Sequence, residues 1–171
     1  MSSPRRPRYC LGVDPGLSGA LAFYCAADDH LVIHDMPVFA IKVGRARRRM
    51  LDIAALRDFV DGYHSVVDHA WIENVHALPK QGVASSFTFG QTFGATLALL
   101  HAFHIAYDRV TPQTWKRHFG LLGQPKDRSR ETASRLLPHH AASWSRKKDH
   151  GRAEAALIAL YGSQMRSTTK T

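Results

Sequence analysis

Short apolar runs open the chain, and their spacing reads as strands before any helical period appears. Tyr9 to Val13 is apolar, Asp14-Pro15-Gly16 is turn chemistry, and Ala20 to Tyr24 is apolar again, which predicts a strand, a tight turn and an antiparallel strand. A third run, Leu31 to His34, follows Asp28-Asp29. Residues 37 to 49 read as a loop that turns basic at Arg45, Arg47, Arg48 and Arg49. Helical spacing begins near Leu51, continues through Ile53, Leu56, Phe59 and Val60, and stops at Gly62. Val66 to Val75 predicts a fourth strand carrying Glu73 near its end. After a loop with Pro79 and Gly82, a long helix is expected from Ser85 to His104, with a smooth stripe of Gly90, Gly94 and Ala98. Ile105 to Val110 is the fifth strand. Pro112 opens a short helix ending by Gly120, residues 126 to 137 form another, and Asp149 opens the last, through Tyr161. Residues 1 to 8 read as a disordered basic tail, 9 to 162 as one domain, and 163 to 171 as a frayed tail.

Three antiparallel strands, followed by helices alternating with two more strands, predict an α/β fold: a mixed five-stranded sheet with helices on both faces. That order is the RNase H-like arrangement. A doubly wound nucleotide-binding fold would need a helix between the first two strands, and the few residues from Asp14 to Gly19 cannot supply one.

Charge narrows the partner. A formal net charge of +9 and a pI near 10.0 on 171 residues point to a polyanion, nucleic acid first and an anionic membrane surface second. Cys10 and Cys25 sit in or beside strand-like runs, which suits small buried hydrophobes and a reducing compartment. No apolar stretch approaches the roughly 20 residues of a membrane span, and the first residues lack the apolar segment of a secretory signal. The expectation is a soluble cytoplasmic protein with no membrane contact.

Asp14 ends the first strand, and Glu73 ends the other strand expected to be central. On the last helix Ala153, Ala156, Leu157 and Leu160 form the apolar stripe, with Glu154 one step round from it. His150 lies four residues earlier on the same face as Glu154, whereas Asp149 is more than a quarter turn away. Singly, each acid has a plain structural reading: Asp14 as a turn residue, Glu73 as an exposed strand end, Asp149 as a helix N-cap. Together they bring carboxylates from two strands and a helix, the oxygen donors that hard divalent cations take. Basic residues at Arg146, Lys147 and Lys148 abut that site and are candidates for phosphate contact, as are Arg45 to Arg49.

Gly12-Val13-Asp14-Pro15-Gly16 with Ser18-Gly19-Ala20, then Ile72-Glu73-Asn74-Val75, Ser86-Phe87-Thr88-Phe89-Gly90-Gln91, Thr111-Pro112-Gln113 with Trp115-Lys116, and Gly151-Arg152-Ala153-Glu154-Ala155, resemble the RuvC-type Holliday junction resolvases, the phage-like branch most closely. The order and spacing cover nearly the whole chain. The resemblance implies a homodimer bound to four-way DNA, Mg2+ or Mn2+ as cofactor with two ions per site, and paired nicks in opposed strands during recombination and repair. Asp14 and Glu73 match the family's first two metal ligands. Glu154 matches the second of two acids that many members place three residues apart, but Gly151 stands where the first would be. Asp149 or His150 must complete the set, with Asp149 preferred. His76 takes the place of an aromatic residue that stacks on opened bases, and Lys116 and Lys126 resemble basic residues near the scissile phosphate.

Two other readings share these residues. One is a related nuclease acting on flaps, forks or RNA-DNA hybrids, and the other a junction-binding protein without catalysis. An actin-like kinase also starts from a strand aspartate, but this length leaves no room for its second domain.

Overall fold

The computed structural model describes residues 8–74 and 82–168, the side chain of Thr168 excepted. Seven strands and five α-helices follow one another in the order β1 (Tyr9–Asp14), β2 (Ala20–Cys25), β3 (His30–Asp35), β4 (Val38–Val43), β5 (Ala46–Leu51), α1 (Ile53–Tyr63), β6 (Val67–Glu73), α2 (Val83–Ala102), β7 (Tyr107–Val110), α3 (Pro112–His118), α4 (Asp127–Leu136) and α5 (His150–Thr168). Two 3-10 segments, Pro138–Trp144 and Lys147–Asp149, join α4 to α5. The main sheet has the order β3-β2-β1-β6-β7. The first three strands pair antiparallel, and β1, β6 and β7 run parallel.

Alternation along the central strands builds two cores. Leu11 and Val13 of β1, Leu21 and Phe23 of β2, and Ala70 and Ile72 of β6 point to one face, where α1 and α2 cover them with Leu56, Val60 and Leu100. Ala20 and Ala22 point to the other, against Ala155, Ala156 and Ala159 of α5 and Trp115 of α3. The small side chains on this second face let α5 lie close. A Cβ on Gly12 would come within 2.2 Å of the Ala155 carbonyl oxygen, so only glycine fits beneath the helix.

Two helices start on recognisable signals, of which Pro112 was expected. Pro112 takes the first turn of α3, with Thr111 as its N-cap. Asp52 caps α1 by accepting from the Ala55 N–H at 3.0 Å.

Residues 37 to 49 are not a loop. They hold most of a β4–β5 hairpin that pairs Val38 with Leu51 and Val43 with Ala46. Gly44 sits at φ +60° as the first residue of the two-residue turn, a place a side chain rarely tolerates. The pairing puts Phe39, Ile41, Val43, Arg48 and Met50 on one face of the hairpin and Val38, Lys42, Arg47, Arg49 and Leu51 on the other. The run of arginines hid a strand, because charged side chains fall on both of its faces. The last helix also differs. It begins at His150, with Asp149 in the preceding 3-10 turn, and continues through residues 163 to 168, where a frayed tail was expected.

Candidate metal and DNA site

Parallel pairing sets the first two acids side by side. Val13 of β1 is opposite Ile72 of β6, so the next residues, Asp14 and Glu73, leave the sheet together at the C-terminal ends of adjacent strands. Adjacent strands lie about 4.8 Å apart, and paired residues of parallel strands share a face. Gly12 and Trp71, two residues earlier on these strands, both meet α5, so Asp14 and Glu73 project to that side of the sheet. Helix α5 supplies Glu154 from its first turns.

The three carboxylates act on one another. Asp14 is pushed up to about 8, by burial first and then by the like charges of Glu73 and Glu154; the Gly16 N–H and Lys116 pull the other way. Glu73, only 7% exposed, is also raised, by burial before all else, with the Trp115 hydrogen bond opposing it. Among cations, Lys116 stands nearest, its Nζ 3.3 Å from Glu154 Oε1. The same oxygen accepts from Ser129 Oγ at 3.1 Å, and Trp115 Nε1 donates to Glu73 Oε1 at 2.9 Å.

Asp149 is turned to a different task. Its carboxylate accepts from the backbone N–H of Arg146 at 3.1 Å and from two guanidinium nitrogens of the same residue at 3.0 and 2.9 Å. Arg146 thereby holds Asp149 below the usual carboxylate range. His150 opens α5 one turn before Glu154, half-buried, with no hydrogen bond or ion pair among the described residues. Gly151 explains the missing acid. A Cβ there would stand 2.3 Å from the Ser18 carbonyl oxygen, so the close seat of α5 on the β1–β2 loop excludes any side chain.

As they stand, no three His, Cys, Asp or Glu among the described residues are arranged to hold a metal ion. The donors nevertheless suit one in kind: they are carboxylate oxygens, buried or half-buried and mutually repelling, with Lys116 beside them. Glu154 is held between Lys116 and Ser129.

Basic residues flank the acids. Arg49 reaches from the hairpin to Ser18 Oγ at 2.9 Å, beside the loop that carries Asp14. A cleft of about 300 Å³ next to that loop is lined by Arg49, Arg146 and Lys148 together with Asp35 and Asp149. Lys147 and Lys126 are exposed, the latter before α4. His76 lies outside the described residues. The pattern of residues did not disclose Ser129 or the pairing of Arg152 with Asp35 at 2.6 Å. For Ser129 a signal existed: with Ala133 it forms a small-residue face four residues apart on α4, where helix packs on helix.

These features define a class: an α/β protein of RNase H-like fold, with acids from β1, β6 and α5 at one end of the sheet. More particularly, the fold is that of the RuvC resolvases. The Thermus thermophilus RuvC structure aligns with a TM-score of 0.52 and 16% identity, covering 89% of this chain and 91% of that one. The same protein in complex with Holliday junction substrate aligns with a TM-score of 0.57 and 14% identity, covering 90% of each. In sequence, the chain is 29% identical over 148 residues to the chloroplastic Holliday junction resolvase MOC1 of Chlamydomonas reinhardtii. That match covers 75% of this chain and 17% of the length of that relative. No protein-family profile matches the chain. No helix among the described residues is long and apolar enough to cross a membrane.

Proposed function

We propose that this protein is a structure-selective endonuclease that nicks opposed strands of four-way DNA junctions in recombination and repair. The observation that carries this reading is the convergence of Asp14, Glu73 and Glu154, with Lys116 among them, at the end of a RuvC-type sheet. Mg2+, with Mn2+ as a substitute and two ions per site, supplies positive charge for an in-line displacement at phosphorus. Asp14, Glu73 and Glu154 are the residues to hold it. His150 is better placed than Asp149 to complete the set, since Asp149 is committed to Arg146. Lys116, once released from Glu154, turns to the scissile phosphate and steadies its developing charge. Arg49, Arg146, Lys147, Lys148 and Lys126 take backbone phosphates, and His76 is assigned to opened bases by family likeness alone. The net charge of +9 supports attraction to DNA, which on this reading is that of the cytoplasmic nucleoid.

A homodimer fits the near two-fold substrate. On α2, Thr92, Thr96 and Leu100 face the protein's own core, while Gly90, Gly94 and Ala98 are exposed. A Cβ at Gly90 or Gly94 meets nothing within 4 Å among the described residues, so the glycine stripe is open to a second copy. Phe87, 67% exposed, adds apolar area on the same helix.

The test is cleavage of a mobile four-way junction with Mg2+ against linear duplex, a flap, a fork and an RNA-DNA hybrid. Asp14→Asn should abolish nicking and leave junction binding in EDTA intact. Near-normal cleavage by this variant would refute the mechanism. Better cutting of a flap, fork or hybrid would move the substrate to that class. Junction binding without cleavage is a second reading, favoured by glycine at 151. It predicts no nicks from the wild type at any Mg2+ or Mn2+ level.

A further inference from the structure

The acidic site is backed by donors that are not needed for packing. Trp115 is fully buried, and a buried indole N–H requires an acceptor, which here is the Glu73 carboxylate at 2.9 Å. Ser129, 3% exposed on α4, gives its hydroxyl to Glu154 Oε1 at 3.1 Å. Phenylalanine and alanine would fill much of the same space without these bonds. Each donor reaches Oε1 of its carboxylate and comes from a helix other than the one, or the strand, that carries the acid. Hydrogen bonds to an ionised acceptor are the stronger kind, and a glutamate otherwise keeps considerable rotamer freedom.

We propose that Trp115 and Ser129 are positioning residues, which fix Glu73 and Glu154 in one orientation before a divalent ion arrives. The inference rests on the metal-site reading above. Outer partners of this type typically set metal affinity by about 10–100-fold. Trp115 has a further consequence: its indole N–H is bonded to a metal ligand, so it reports on the ion directly. The other two indoles serve as controls. Trp144 Nε1 donates to Ser134 Oγ, and Trp71 Nε1 has no hydrogen-bond partner among the described residues.

The experiment is a Mg2+ titration of the full chain labelled with 15N at the tryptophan indoles, with signals assigned by single Trp→Phe variants. The Trp115 N–H signal should shift saturably while those of Trp71 and Trp144 move little. By calorimetry, Trp115→Phe and Ser129→Ala should each weaken Mg2+ binding about 10–100-fold. Their affinity for a four-way junction in EDTA should stay at the wild-type level, and Ser129→Thr should restore metal binding. If the wild type binds no Mg2+, the metal reading itself fails. If the wild type binds Mg2+ but the Trp115 signal does not move, or if both variants fold and bind Mg2+ as well as the wild type, the positioning role is overturned and the metal site stands. Should Trp115→Phe not fold, the wild-type titration and Ser129→Ala decide the matter.

Discussion

Asp14 carries the site's chemistry in a form that pH can reveal. Its carboxyl is pushed up to about 8, against an ordinary value near 3.9, so between these values the metal-free folded protein holds a proton that the unfolded chain has lost. The stabilising contribution of that proton is complete below about pH 4 and is lost as pH rises through about 8. Denaturant melts in EDTA should show this component between pH 5 and 8 in the wild type and not in Asp14→Asn. Because an ion needs the carboxylate, Mg2+ affinity should climb by up to about tenfold per pH unit until pH 8. Calorimetry at pH 7 in buffers of different ionisation heat should detect the released proton. The neighbouring pair Asp149 and His150 separates just as cleanly. His150→Ala should weaken Mn2+ binding about tenfold or more. Asp149→Asn should leave it unchanged and cost about 1 kcal/mol of stability through the lost Arg146 bonds. The reverse result would return the ligand role to Asp149.

Helix α5 is the element on which the site depends, and glycines determine how near it lies. Gly12 admits its middle to β1, and Gly151 admits its start to the Ser18–Gly19 backbone. Placing an acid three residues before Glu154, by Gly151→Asp, should therefore not supply a ligand. It should lower stability by about 1–3 kcal/mol, as overpacking does, without improving Mg2+ affinity. Gly151→Ala should cost a similar amount, identifying the cause as steric. Urea unfolding and metal titration of both variants check this, and tighter Mg2+ binding by Gly151→Asp would contradict it. The bidentate pairing of Arg152 with Asp35 ties the same end of α5 to the edge strand β3.

For the whole molecule, the question is how two sites would be brought to one junction. Gly94 lies on an exposed helix face that its own chain leaves open among the described residues. Gly94→Leu should thus leave the protomer folded, even a little more stable, since leucine gains up to about 1 kcal/mol over glycine in a helix. It should still break the proposed dimer and leave junctions nicked in one strand. Sedimentation and product analysis check both halves. A monomeric wild type that makes paired cuts would end the dimer argument.

Much of this protein was legible in its residues. The order of the five main-sheet strands and of the helices, the RNase H-like sheet, and the places of Asp14, Glu73 and Glu154 at strand ends and on a helix face follow from apolar periodicity and turn chemistry, which are local. What the tertiary structure decided is how side chains far apart in sequence share their charges. Asp149 was preferred as a ligand from the family likeness and is the partner of Arg146. Ser129 was not singled out and Trp115 stood only in a family-like string, and both are donors to the acids. The arginines of residues 45 to 49 read as part of a basic loop, yet most lie on a hairpin whose Arg49 reaches Ser18 in the turn after Asp14. Spacing along a chain fixes which face a residue occupies; only the packing of elements fixes what that face meets.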